Sequence, residues 1–227
     1  MNLFINYYDN PKRQKELDFC LEKNLANDLI KKVVIFNESK RKFKNDKVLL
    51  YDVGKRPTYQ DFFDLTREFG EDDINIISNT DIFFDDSLRE AEHLKPHMCY
   101  ALTRHELRGN IIYPFEKANS NVKAAFSQDV WMFRGPCRAT GCEQVVAMNM
   151  NTNTYENIPF TMGIPGCDNI IAVRLKEKYQ VKNPHEYIRC IHVHEELSRP
   201  GYMYRITGSN RGQWGEVHRG HLNGTTL

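Results

Sequence analysis

Four short apolar runs, separated by helix signals within the first 78 residues, constrain this chain more than any other feature. They are Leu3-Phe4-Ile5, Val33-Val34-Ile35-Phe36, Lys47-Val48-Leu49-Leu50-Tyr51 and Ile74-Asn75-Ile76-Ile77-Ser78. Strands this hydrophobic need cover on both faces, and a parallel sheet between two helical layers supplies it. Between the first two runs, Leu17, Leu21, Leu25 and Leu29 repeat every fourth residue, one apolar stripe of a helix. Asn10 offers that helix a cap and Pro11 suits its first position. Thr58, with Asp61 three residues on, predicts a capping arrangement for a second helix that stops at Gly70.

The second half is less regular. Residues 98–103 and 129–133 read as strands, 109–121 as a loop and Gly163-Ile164-Pro165-Gly166 as a turn. Asp168 can cap a helix whose Ile170, Ile171, Leu175 and Tyr179 face inward, and residues 188–194 read as a final strand. From Thr207 onward Gly, Ser, Asn, Arg and Thr dominate and periodicity disappears. No internal repeat and no linker divides the chain. The expectation is a single α/β domain over 1–205, a mainly parallel, Rossmann-like sheet flanked by helices, followed by a tail at 206–227.

Charge narrows the function. The 31 basic and 30 acidic residues give a net charge of +1, so no global attraction to nucleic acid or to a membrane surface is expected. The apolar runs are too short to span a bilayer, and the N-terminus reaches polar residues too soon for a secretory signal. The six cysteines contain no CxxC pair and read as reduced thiols, so a cytoplasmic protein is expected (host cytoplasm if the source is viral). Locally the balance is uneven: residues 11–56 hold 13 basic and 7 acidic side chains, residues 57–97 hold 3 and 11. Such a juxtaposition can place an anionic ligand beside a cation, or it can be two solvated faces.

Four segments carry candidate chemistry. In Ser78-Asn79-Thr80-Asp81-Ile82-Phe83-Phe84-Asp85 an apolar strand ends abruptly in polar residues, and open α/β sheets bind ligands at the carboxyl ends of their strands. Asp81 there can hold a hard divalent cation, or Asp81 and Asp85 can simply open the following helix. His192 and His194 are two apart in a strand and share a face, as a metal pair or as a structural pair. Asp129, just before Val130-Trp131-Met132-Phe133, can orient or deprotonate a hydroxyl, or cap a turn. Arg13 and Arg56 can meet phosphates, or be surface charges. Neither a GxGxxG nor a GxxxxGK[ST] loop is present, which argues against dinucleotide enzymes and P-loop NTPases.

Taken in order, Asn6 to Arg13, Arg56-Pro57-Thr58-Tyr59, Ser78 to Asp85, Ser127-Gln128-Asp129-Val130-Trp131, Gly163 to Asn169 and His192-Val193-His194 resemble the small glycosyltransferases of the GT-A fold. Such enzymes are encoded by bacteria and large DNA viruses, the chlorella-virus capsid glycosyltransferase among them. The resemblance runs from residue 2 to about 205 and implies a nucleotide-sugar half (1–100) and an acceptor half (101–205). It implies a nucleotide-sugar donor, UDP-linked, contacted by Asn6, Tyr7, Tyr8, Arg13, Arg56, Asn79, Thr80 and Asp81. Asn79-Thr80-Asp81 would stand for the Asp-x-Asp motif, with Mn²⁺ or Mg²⁺ held by Asp81 and by His192 or His194. Asn79 replaces the first Asp, which lowers the charge available to a metal. Asp129, and second Asp168, would serve a hydroxyl on a glycan or glycoprotein acceptor. The rivals are a nucleotidyltransferase using the same sheet and metal, a non-catalytic nucleotide- or carbohydrate-binding module, and a transferase acting on modified phage DNA. A nucleotidyltransferase would usually carry a glycine-rich basic loop after the first strand, where Asn6-Tyr7-Tyr8-Asp9-Asn10 has no glycine.

Overall fold

The computed structural model describes residues 1–118, 124, 127–194 and 202–207. Phe126, the Glu195 after the histidine pair, the arginines beyond residue 198 apart from Arg205, and the tail at 208–227 lie outside the described residues.

The elements run β1 (Asn2–Tyr7), α1 (Gln14–Ala26), β2 (Lys32–Asn37), β3 (Val48–Asp52), α2 (Tyr59–Leu65), β4 (Ile74–Ser78), β5 (Ile82–Phe84), β6 (Met98–Leu102), β7 (His105–Arg108), β8 (Ile111–Pro114), α3 (Phe115–Ala118), β9 (Val130–Arg134), β10 (Gln144–Asn149), β11 (Thr154–Pro159), α4 (Cys167–Lys176), β12 (Gln180–Lys182), β13 (Cys190–Val193) and β14 (Tyr204–Arg205). Seven strands form the central sheet in the order β12-β6-β9-β4-β1-β2-β3. All neighbours are parallel except those of β9, which runs antiparallel to both β4 and β6. The result is a mixed, mostly parallel α/β sheet, as the apolar runs require. Two smaller sheets, β5-β13-β7-β8 and β11-β10-β14, complete the described chain.

Strand alternation splits the core in two. Leu3, Ile5, Val33, Ile35 and Ile76 pack with Leu17 and Leu21 of α1 on one face. Phe4, Val34, Phe36, Ile77 and Trp131 pack with Phe62 and Phe63 of α2 and Ile171 of α4 on the other. Each such fully buried side chain contributes roughly 1.5–3 kcal/mol of transfer free energy. The Thr58–Asp61 capping box forms as expected, and the helical segment then continues as a 3₁₀ turn over Thr66–Glu68.

Three local expectations change. Helix α1 begins at Gln14 rather than at Pro11, because the Asn10 carbonyl closes a turn onto the Arg13 N–H and leaves Arg13 as the first flanking residue. The segment at 109–118 is a strand and a short helix, since Ile111–Pro114 pairs with β7. Asp168 lies in the first turn of α4, whose preceding residue is Gly166. Gly166 has φ +88°, and a Cβ there would fall 2.5 Å from the Ile206 carbonyl oxygen, so only glycine fits. Ile206 itself is buried, its N–H donating to the Pro165 carbonyl, so the packed core extends past residue 205. All six cysteines are buried free thiols, and no described helix is long and apolar enough to cross a membrane.

Candidate active site

Parallel strands bring their carboxyl ends to one edge, and an antiparallel neighbour brings its amino end there. Asn6 and Tyr8 leave β1 at that edge, Asn79-Thr80-Asp81 leaves β4, Arg104 follows β6, and Asp129 precedes β9. A cleft of about 430 Å³ opens along this edge, lined by these residues together with Arg13, Arg56, Gly163, His192, His194 and Tyr202, among others. This is where ligands of open α/β sheets bind.

The structure therefore brings together ten of the twelve residues that the sequence marked: Asn6, Tyr8, Arg13, Arg56, Asn79, Thr80, Asp81, Asp129, His192 and His194. Tyr7 is not among them. One step along a strand reverses the side-chain direction, so Tyr7 points into the opposite layer. There its hydroxyl donates to Asp18 and accepts from Gln14 Nε2 and Arg41 Nη1 at 2.6 Å. Asp168 does not line the cleft. It stands close behind Asp129, with the backbone N–H of Gln128 donating to its carboxylate. The two segments expected on the acceptor side do meet.

Backbone contacts hold the cleft in shape. The Thr80 hydroxyl donates to the Asn6 carbonyl, and the Asn6 amide donates to the Phe36 carbonyl at 3.2 Å. The Asn79 N–H donates to the Asp129 carbonyl at 3.1 Å, tying the end of β4 to the start of β9. The Val193 N–H donates to the Asp81 carbonyl at 3.0 Å, which brings β13 and its two histidines against the β4 exit. His192 and His194 share a face as expected, with ring planes 16° apart and centroids 5.4 Å apart. On the opposite wall the Arg56 guanidinium covers the Tyr8 ring at 4.6 Å, and its Nε donates to Glu38.

The floor is one chain of charge-assisted hydrogen bonds. Arg13 Nη2 lies 2.8 Å from Asp81 Oδ2, and His192 Nε2 lies 3.2 Å from the same oxygen. His192 Nδ1 reaches Glu106 Oε2 at 2.7 Å, and Arg104 Nε reaches Glu106 Oε1 at 2.7 Å. Arg104 Nη1 then reaches Asp129 Oδ2 at 2.8 Å, while the Asn79 amide donates to Asp129 Oδ1 at 2.8 Å. Burial opposes ionisation along this chain, but the partners win. Asp81 is held well below the usual carboxylate range by the His192 imidazolium and the Arg13 guanidinium. Burial likewise opposes the charge on Glu106, and His192 and Arg104 bring it down to about 2. His192, penalised by burial, is raised to about 9 by Asp81 and Glu106 and is protonated at neutral pH. Asp168 goes the other way. Burial first, and the neighbouring Asp129 charge second, push it up to about 7.

Arg104 and Glu106 were not marked by the sequence. The rule that found Asn79 would have found Arg104, because it too follows the carboxyl end of an apolar strand. Glu106 carried no such signal: its partner His192 is 86 residues away.

A divalent cation in this cleft would meet hard oxygen donors. Asp81 Oδ1 and Asn79 Oδ1 accept no hydrogen bond among the described residues, and His194 adds an imidazole to the same lining. Among the described residues no three His, Cys, Asp or Glu side chains cluster tightly enough to hold an ion by themselves. The donor set fits Mn²⁺ or Mg²⁺ only as a site completed by substrate oxygens and water, the usual habit of such ions.

The sequence matches no protein-family profile and no curated sequence. Its fold does match solved structures. One is S. aureus TarS, residues 1–349, in complex with UDP-GlcNAc, at a TM-score of 0.51 and 9% identity over 89% of this chain. Another is the mannosyltransferase PcManGT from Pyrobaculum calidifontis in complex with GDP-Man and Mn²⁺, at a TM-score of 0.49 and 12% identity over 88% of this chain. The chain spans 59% and 58% of the lengths of these two. The fold is GT-A-like, the α/β architecture of nucleotide-sugar glycosyltransferases.

Proposed function

We propose that this protein is a glycosyltransferase that moves a sugar from a nucleotide-sugar donor, UDP-linked, to a hydroxyl of a glycan or glycoprotein. The observation that carries this reading is the cleft itself. A polar wall made by Asn6 and Tyr8, the Arg13 and Arg56 guanidiniums, and the Asp81–His192 pair all meet at the ligand-binding edge of a GT-A-like sheet. Asn6 and Tyr8 would take the base, and Arg13 and Arg56 the phosphate oxygens, as arginine forks do. Asp81, with Asn79 Oδ1 and His194, would hold Mn²⁺ or Mg²⁺ beside the diphosphate. A bound cation there offsets the negative charge that builds on the departing nucleotide.

The acceptor side follows from which carboxylate faces the cleft. Asp129 lines it, and each of its oxygens accepts one hydrogen bond, from Asn79 and from Arg104, and keeps a lone pair for an acceptor hydroxyl, so Asp129 would take the proton. Asp168, raised to about 7 by burial and by Asp129, stands outside the lining and would serve as a positioning residue. Arg104 links Asp129 to Glu106 and so ties the acceptor side to His192 and the donor side.

The test is a panel of UDP, UDP-sugars and nucleoside triphosphates, each with Mn²⁺ and with chelator. Binding of UDP and slow release of sugar from at least one UDP-sugar is the expected result. Pyrophosphate release from a triphosphate without sugar turnover would replace the reading with a nucleotidyltransferase. Nucleotide binding without any turnover would replace it with a binding module.

A further inference from the structure

Arg13 sits where a cation would be needed. Its Nη2 is 2.8 Å from Asp81 Oδ2, the carboxylate that resemblance assigns to a metal, and its Nε is 2.7 Å from Glu16 Oε2. Glu16 is buried in the first turn of α1, and the Asp81 backbone is pinned by the Val193 N–H. The two ends of the contact are therefore fixed independently. Asp81 cannot follow Arg13, while Arg13 can release Asp81 and stay anchored through Nε on Glu16. A guanidinium has five N–H donors, so the Nη end of an anchored Arg13, already part of the cleft wall, can exchange a carboxylate for a phosphate oxygen without a new rotamer of the whole side chain.

We propose that Arg13 is a resident cation of the Asp81 site: it occupies the carboxylate in the nucleotide-free protein and passes to the diphosphate when nucleotide and a divalent cation enter together. The proposal rests on the glycosyltransferase reading for its second half only. Its first half, competition between Arg13 and a metal for Asp81, stands on the ion pair alone. A guanidinium on Oδ2 and a divalent cation on Oδ1 would crowd a carboxylate that His192 already pairs, so Asp81 exchanges Arg13 for the metal while His192 stays. Two consequences follow. In the nucleotide-free protein Arg13 opposes metal binding. With a nucleoside diphosphate present the freed guanidinium gains a phosphate partner, so nucleotide and metal strengthen each other, and by linkage equally in both directions. The device keeps free divalent cations out of a cleft that holds Asp81 and Asp129, and admits them with the substrate that needs them.

The experiment is a Mn²⁺ titration of the full chain followed by electron paramagnetic resonance, without nucleotide and with UDP, on wild type, Arg13→Gln and Arg13→Lys. Without nucleotide, Arg13→Gln is expected to bind Mn²⁺ about tenfold more tightly than wild type, the size of one charge-assisted contact. The gain in Mn²⁺ affinity conferred by UDP is expected to be smaller in Arg13→Gln than in wild type by about the same factor. Arg13→Lys keeps a charge but loses the fork that spans Glu16 and Asp81, so it is expected between the two, and it serves where Arg13→Gln fails to fold. Equal Mn²⁺ affinity of wild type and both variants without nucleotide overturns the proposal. A protein that shows the Arg13 effect on Mn²⁺ but binds no UDP keeps the competition and loses the glycosyltransferase reading.

Discussion

Residues 1–78 and residues 98–206 reach the same edge of the central sheet by different means. The first stretch is a run of parallel strands with helical cover, and its cleft residues leave the strands directly, so the backbone ladder sets where Asn6, Tyr8 and Asn79 stand. The second stretch reaches the edge through antiparallel β9, the small β5-β13-β7-β8 sheet and glycine turns, where Glu106 and His192 are cross-strand partners and a chain of side-chain charges joins them to Arg104 and Asp129. One side is placed by the main chain, the other by the main chain and a charge network together. A network of that kind specifies geometry well when every member is paired, and loses it when one is removed.

The comparison breaks first at β9, which joins the two stretches by pairing with β4 on one side and β6 on the other. Trp131 is fully buried there and meets the Tyr59 ring edge-on at 5.3 Å. Trp131→Ala is expected to cost about 3–5 kcal/mol, with one cooperative urea transition shifted to lower denaturant for both stretches. Two separate transitions, by tryptophan-independent probes of each stretch, would show that they do not share a core.

A smaller effect separates chemistry from scaffold. Asp129→Asn is expected to lower turnover by about 10²-fold while leaving UDP affinity nearly unchanged, the pattern of a lost acid–base group. Asp168 acts on stability instead. The folded protein keeps a proton on Asp168 that an unfolded carboxyl releases, so this contribution is fully present below the ordinary carboxyl range and is lost as pH rises through about 7. Urea midpoints across that range, flatter in Asp168→Asn, check it. Unchanged turnover in Asp129→Asn would take the base role away from Asp129.

The same contrast explains what could be read from the sequence. The parallel stretch was legible because each strand is a β-branched apolar run, and the Thr58–Asp61 cap is a local signal three residues long. Strand ends then pointed to Asn79, Asp81 and Asp129. Tyr7 falls outside the cleft because alternation in β1 sets it opposite Asn6, while Tyr8 lies past the end of the strand. The β10–β11 hairpin is not among the strands read from the sequence although Val145-Val146-Ala147-Met148 is an apolar run: that strand is half exposed and its partner Thr154–Pro159 is mostly polar and exposed. Glu106 was invisible for a different reason: its role exists only once residue 192 is folded against it.

The central claim is that the nucleotide of a sugar donor occupies the edge cleft where the two stretches meet. The most direct measurement is a crystal structure of the protein with UDP and Mn²⁺. The account predicts the base beside Asn6 and Tyr8, the diphosphate beside Arg13 and Asp81, and Asp168 on the far side of Asp129 from the nucleotide. UDP bound away from Asp81, or a cleft that stays empty at saturating UDP, would contradict it.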